Sequence, residues 1–210
     1  MMKDSTHVLF KEHSAISIMT ESNEFHTSCM SLFFFPHTAV DVNEGEFVTV
    51  QAGNDMRYPN IDSCLTVTYA YNTGVRSGGH AVLFPGPGQQ TLEQMVQSLN
   101  GMNRATIFYI MGAIQTWNTN YFGNAGRNFT INGTTVNLRN VESIVPALGY
   151  NAQTNAVLYD KDDYTVRPVV ILFQANPRVL VVTDTTGKEL YNKPWPGYYP
   201  PLLKESKSLL

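Results

Sequence analysis

Two side chains capable of nucleophilic chemistry stand at informative places in this chain. Cys64 follows a turn-rich stretch containing Gly53, Asn54, Asp55 and Pro59. It opens a segment, residues 64–71, in which Cys64, Thr66, Thr68 and Ala70 alternate with Leu65, Val67, Tyr69 and Tyr71. A period of two in β-branched and aromatic residues predicts a strand, with Cys64 at a loop–strand junction. His80 lies beyond the turn Asn72-Thr73-Gly74 and directly after Gly78-Gly79, near the start of the next expected strand. An antiparallel hairpin would bring the two together. Counted from a turn over residues 72–77, however, its arms are unequal and call for a bulge or a long irregular connection. The imidazole could then take the thiol proton, the thiolate attack a carbonyl, and the imidazolium protonate a leaving amine. A third polar group would orient the ring, and backbone N–H groups near Cys64 would hold the oxyanion. A thiol paired in this way is expected to alkylate faster than Cys29 near pH 7. The alternative is a small buried thiol beside a satisfied histidine.

Other clusters offer less. His26, Cys29 and His37 do not follow a recognised zinc spacing and lack a fourth ligand. Asp160, Asp162 and Asp163 resemble a calcium loop only in part. Thr165 and Ile171 stand where that loop needs its glycine and its bidentate glutamate, so a solvated acidic turn is expected. Pro85-Gly86-Pro87-Gly88 is not followed by the Gly-Lys-Ser/Thr of a phosphate loop. No metal and no cofactor are expected.

The elements that must carry the Cys–His pair are legible in outline. Strands are expected over residues 15–19, 31–35, 47–50, 64–71, 78–84, 105–110, 156–159, 167–173 and 179–183. Asn132-Gly133, between residues 129–131 and 134–136, signals a type I′ hairpin. Thr91 with Gln94 forms a capping box ahead of Leu92, Met95, Val96 and Leu99, and Gly101 follows as a C-terminal stop. A second helix is expected from Asn137, carrying Val141, Ile144, Val145 and Leu148 past Pro146. Strand runs on either side of two main helices predict an α+β domain, with a layered sheet assembly covered by helices on one side.

Composition sets the frame. The 210 residues are 43% hydrophobic and only 15% charged, which excludes a disordered chain or a coiled coil. The net charge is −3 and the fourteen Lys and Arg are scattered, so no basic footprint for nucleic acid is seen. No apolar run approaches the length of a membrane span, and no signal-peptide core follows Met1. The two cysteines are read as thiols. A cytoplasmic protein is expected, or an effector secreted without a Sec signal peptide, acting as a monomer with no membrane insertion.

The order of these features resembles the chemoreceptor glutamine deamidase (CheD-like) family. Asp62-Ser63-Cys64 opens a strand, Gly78-Gly79-His80 follows a turn, and Pro85 ends the second strand. Ile110-Met111-Gly112-Ala113 follows the helix at residues 91–100. Arg139-Asn140 stands where the family opens a helix, Asp160 and Arg167 keep the family's spacing, and Asn176-Pro177-Arg178 precedes the last strand. The resemblance covers roughly residues 38–183. It implies a layered α/β/β sandwich of mixed and antiparallel strands, shared with deamidase toxins of the cytotoxic necrotizing factor kind. It also implies hydrolysis of a glutamine side-chain amide in a protein substrate, without a cofactor. By that resemblance Cys64 is the nucleophile and His80 the general base and acid. Ser63, Asp62 and Gly79 lie at the oxyanion and substrate pocket. Tyr58 stands where the family has a histidine-steadying Thr, so Thr49, on the preceding strand, is taken as the third catalytic residue. Asp62 replaces the family's glycine two before the cysteine.

The implied organisation is an N-terminal extension over residues 1–37, a deamidase-like domain over 38–192, and a proline- and aromatic-rich tail over 193–210. Two other readings accompany it: a non-catalytic binding module on the same fold, and a different thiol hydrolase.

Overall fold

The computed structural model describes residues 38–197. The strands expected at residues 15–19 and 31–35, and the cluster of His26, Cys29 and His37, lie outside them.

The described chain is α+β and built on two five-stranded sheets. The first takes β1 (Ala39–Asp41), β3 (Asp55–Ile61), β10 (Val169–Phe173), β11 (Val179–Asp184) and β12 (Glu189–Pro194) in the order β1-β3-β10-β11-β12. The second takes β2 (Phe47–Val50), β4 (Leu65–Ala70), β5 (Arg76–Ala81), β6 (Ile107–Gly112) and β9 (Ala156–Asp160) in the order β2-β5-β4-β6-β9. β1 is parallel to β3, and β6 is parallel to β9; all other neighbours are antiparallel.

The alternation around Cys64 decides the layering. Leu65, Val67 and Tyr69 face a cluster with Leu92, Met95, Val96 and Leu99 of helix α1 (Leu92–Asn100). On the other face, Cys64 and Ala70 join Tyr109 and Met111 against Met56, Tyr58, Ile171, Phe173 and Val182 of the first sheet. The second sheet is therefore covered on both faces, and β4, β5 and β6 are buried along their whole lengths. A strand buried on both faces tolerates polar residues only where they find partners. Thr66 and Thr68 do so: Thr66 donates to the Met111 carbonyl at 3.1 Å, and Thr68 shares a hydrogen bond with the Tyr58 hydroxyl at 2.6 Å.

α1 begins as its capping box predicts, with Thr91 Oγ1 accepting from the Gln94 N–H and Gln94 Oε1 accepting from the Thr91 N–H. The Asn132-Gly133 turn joins β7 (Arg127–Ile131) and β8 (Thr134–Leu138), with both residues at positive φ as a type I′ turn requires. The second main helix is not formed as expected from Asn137. Asn137 and Leu138 instead pair across the hairpin with Asn128 and Arg127. The cap is Asn140, whose side chain accepts from the Ser143 N–H at 2.9 Å. A 3₁₀ turn (Val141–Ser143) then leads into one α-turn, α3 (Ile144–Ala147). Another single turn, α2 (Ile114–Trp117), continues into a π-helical segment.

The proline- and aromatic-rich segment from Lys193 begins within the first sheet. Lys193 and Pro194 belong to β12, paired with β11, and Trp195 is buried. Its indole N–H donates to the Gln174 carbonyl at 2.7 Å, and Arg76 lies over its ring at 4.6 Å. The globular unit therefore extends past residue 192. No helix among the described residues is long and apolar enough to cross a membrane.

Candidate functional site

Two connections cross from the first sheet to the second and meet at one place. The chain leaves β1 through residues 42–46 to enter β2, and leaves β3 through residues 62–64 to enter β4. Both crossings lie where β5 ends. Glu44, Cys64 and His80 thus gather from three separate stretches, with one ligating atom of each within 4.8 Å of the others.

The hairpin carrying the pair is tighter than expected. Its turn is the short loop between Ala70 and Arg76, closed by Gly74 N–H to the Tyr71 carbonyl and Tyr71 N–H to the Val75 carbonyl. The ladder then runs without a break from Ala70↔Arg76 to Leu65↔Ala81. No bulge is needed. His80 lies opposite Thr66, two residues from Cys64 on the same face, and such diagonal cross-strand neighbours are within reach of long side chains.

His80 is 1% exposed. Its Nδ1 is 3.0 Å from the Val42 carbonyl oxygen. A carbonyl only accepts, so Nδ1 carries the proton and the neutral ring leaves its lone pair on Nε2. That Nε2 is buried and has no hydrogen-bond partner. Burial lowers the His80 pKa, against the upward pull of the Val42 carbonyl, Glu44 and Glu46, so the ring is neutral at pH 7. The ring is further held by its strand, since the His80 N–H donates to the Glu46 carbonyl and the Gly45 N–H to the His80 carbonyl. Tyr58 meets the ring edge-on, with centroids 6.2 Å apart.

Cys64 is 5% exposed, and its Sγ lies 3.8 Å from Glu44 Oε1. Burial is the largest cause raising its pKa, to about 12. The Glu44 carboxylate adds to the rise, and the Asp62 backbone hydrogen bond opposes it. The expectation of a low-pKa thiol is therefore corrected: at rest the pair is a thiol beside a neutral imidazole. The reason is burial first, and then that the charge nearest the sulfur is negative.

The backbone of the thiol is fixed from below. Asp160, at the end of β9, accepts from the Gln115 N–H at 3.0 Å and so holds the start of α2. The indole N–H of Trp117 on α2 donates to the Ser63 carbonyl at 2.9 Å, and the Ala113 N–H donates to the Cys64 carbonyl at 3.0 Å. Gly112 has a φ of +138°, and a Cβ there would run into the Cys64 carbonyl. Only glycine allows that close approach. Asp162 and Asp163 form the acidic turn expected of them, and Lys161, itself buried, bonds to Asp162 at 2.6 Å and reaches Asp62 at 3.9 Å.

Asp62 and Ser63 are exposed on the bend beside Cys64, outside both ladders, where a substrate carbonyl could meet their backbone. Two other expected residues are misplaced. Thr49 is opposite Ser77 and bonds its hydroxyl at 2.9 Å, and it opens on a groove with Tyr71 and Met102. Ser77 is three positions from His80, so strand alternation sends Thr49 to the opposite face of the sheet. Gly79 also faces away: a Cβ there would meet Met95 of α1. The residues missed were Glu44, Trp117 and the carbonyl of Val42. Glu44 gave only a turn signal, in Asn43-Glu44-Gly45, and a backbone carbonyl has no signature in sequence.

A scan against protein-family models matches none, and a search of curated proteins returns no match.

Proposed function

We propose that the chain is a cysteine-dependent deamidase that hydrolyses the side-chain amide of a glutamine in a protein substrate, on a CheD-like α/β/β fold. The carrying observation is the buried, unpartnered Nε2 of a correctly tautomerised His80 beside Cys64. An orphaned polar atom in the interior carries a cost, and an uncommitted nitrogen on an imidazole that neighbours a thiol is what a general base needs.

The resting thiol sets the order of events. Sγ attacks the carboxamide carbon as its proton passes to Nε2, so the ion pair forms in the transition state and not before it. Glu44 favours the imidazolium that appears at that moment. The N–H groups of the bend at residues 62–64 receive the oxyanion. His80 then protonates the leaving nitrogen and ammonia departs, leaving a thioester on Cys64. Water, deprotonated by His80, hydrolyses the thioester to the glutamate side chain and restores the thiol. The net reaction is amide plus water to carboxylate plus ammonium.

Ammonia release and the glutamine-to-glutamate mass increment, followed across a candidate proteome, test the reading. Cys64→Ser and His80→Ala should abolish both while far-UV dichroism is unchanged. Product formation that survives either substitution in a folded protein refutes it. The low exposure of Cys64 favours the second reading, a binding module that has kept the fold. Absence of turnover on every substrate tried, with Cys64 inert to alkylation at all pH values, would favour that module.

A further inference from the structure

Three chemically different ligands converge where the two sheet crossings meet, and they are the set that a borderline-soft cation selects. We propose that Glu44, Cys64 and His80 form a binding site for one divalent cation of the zinc class, which caps the thiol when bound. This goes beyond the deamidase reading and does not rest on it.

The imidazole is already prepared as a ligand. Zinc-binding histidines usually donate their other ring N–H to a carbonyl or carboxylate, which fixes the ring and the tautomer. Val42 does this for Nδ1, and Nε2 is left buried with its lone pair uncommitted. Cys64 supplies the soft ligand and Glu44 the anionic oxygen. A tetrahedral zinc with bonds of about 2.0–2.3 Å needs its ligand atoms about 3.3–3.7 Å apart. A ring nitrogen of His80, the Cys64 sulfur and a Glu44 carboxylate oxygen lie within 4.8 Å of one another. Contraction by about 1 Å is supplied by turning the exposed Glu44 side chain and the Cys64 rotamer. Ligation requires the thiolate, so each ion bound releases the Cys64 proton to solvent. With Glu44 and Cys64 both anionic, the site balances the charge of the ion and leaves a fourth position open. Calcium and magnesium, which prefer six or more oxygens, are excluded by the donor set.

Cobalt(II) titration of the full chain reports the thiolate ligand directly, through its sulfur-to-metal charge-transfer band. The expected result is one equivalent bound, displaced by zinc, with one proton released. Cys29→Ser should retain the band. Cys64→Ser and His80→Ala should lose it, and Glu44→Gln, at an exposed position that does not threaten folding, should weaken affinity by more than about tenfold. Zinc should also protect Cys64 from a disulfide reagent. A band that survives Cys64→Ser, one that is lost in Cys29→Ser, or no band at millimolar cobalt overturns the proposal. Ammonia release measured in chelator is a separate readout. Deamidation without a cobalt band sinks only the metal site, and a cobalt band without deamidation sustains the site while counting against the enzyme.

Discussion

The charge beside the sulfur makes a prediction that runs against ordinary expectation: Glu44→Gln, the loss of a carboxylate in the candidate site, should make Cys64 more reactive. Glu44 Oε1 is 3.8 Å from Sγ. At that distance a unit charge raises the energy of the thiolate by about 1.1 kcal/mol at an effective dielectric of ~80, and by about 2.2 kcal/mol at ~40. The range is taken from the wetter side because Glu44 is exposed. Removing the charge therefore lowers the thiol pKa by about 0.8–1.6. Part of the gain in thiolate is offset, since nucleophilicity falls with pKa with a slope of about 0.45. The net expectation is a rate increase of about 3- to 8-fold below the pKa. The assay is exchange with an uncharged aromatic disulfide, in the Cys29→Ser background so that a single thiol reports, with chelator present. With its pKa near 12, Cys64 should also show a rate that climbs about tenfold per pH unit from 7 to 10. A plateau below pH 9, or a Glu44→Gln rate equal to or slower than the parent, refutes the reasoning.

Three further outcomes are expected. Thr49→Ala should leave ammonia release within about twofold of the parent, because its hydroxyl is on the face away from His80; a loss of tenfold or more would restore it to the catalytic set. Trp195→Ala should cost about 3–5 kcal/mol in urea unfolding, since it removes a buried indole and the ring beneath Arg76; a loss under ~1 kcal/mol would show that the indole does not hold residues 193–197 to the domain. Stability should fall as pH drops below the unfolded histidine pKa of about 6.5. The folded-state pKa of His80 is depressed, so in that window the unfolded chain binds the extra proton, and its contribution is lost as pH falls further through the folded value. His80→Gln should flatten this dependence, and an unchanged slope would show that His80 is not buried neutral.

Much of the local structure was readable because its causes are local. The alternation from Cys64 to Tyr71, the Thr91–Gln94 capping box and the Asn132-Gly133 turn each rest on interactions between residues a few positions apart. The second helix was misread because its residues fit a helical period, while the pairing of Asn137 with Asn128 across the hairpin outweighed that preference. The prolines of the tail mark extended chain, which Lys193 and Pro194 are, but do not say where the tail docks. Its fate depended on Arg76 and Gln174, which lie far back in the chain.

The candidate site divides in the same way. Sequence alone placed Cys64 at the head of one strand and His80 on the next, and side-chain direction alternates along each; the short turn and unbroken register that put them on one face came from the structure. Tertiary structure decided everything that surrounds them. The crossings between sheets brought the Val42 carbonyl to Nδ1 and the Glu44 carboxylate to Sγ, and burial between two sheets set the charge state of both groups. Solvation and through-space charge depend on distance in three dimensions, and the spacing of residues along a chain does not carry that distance.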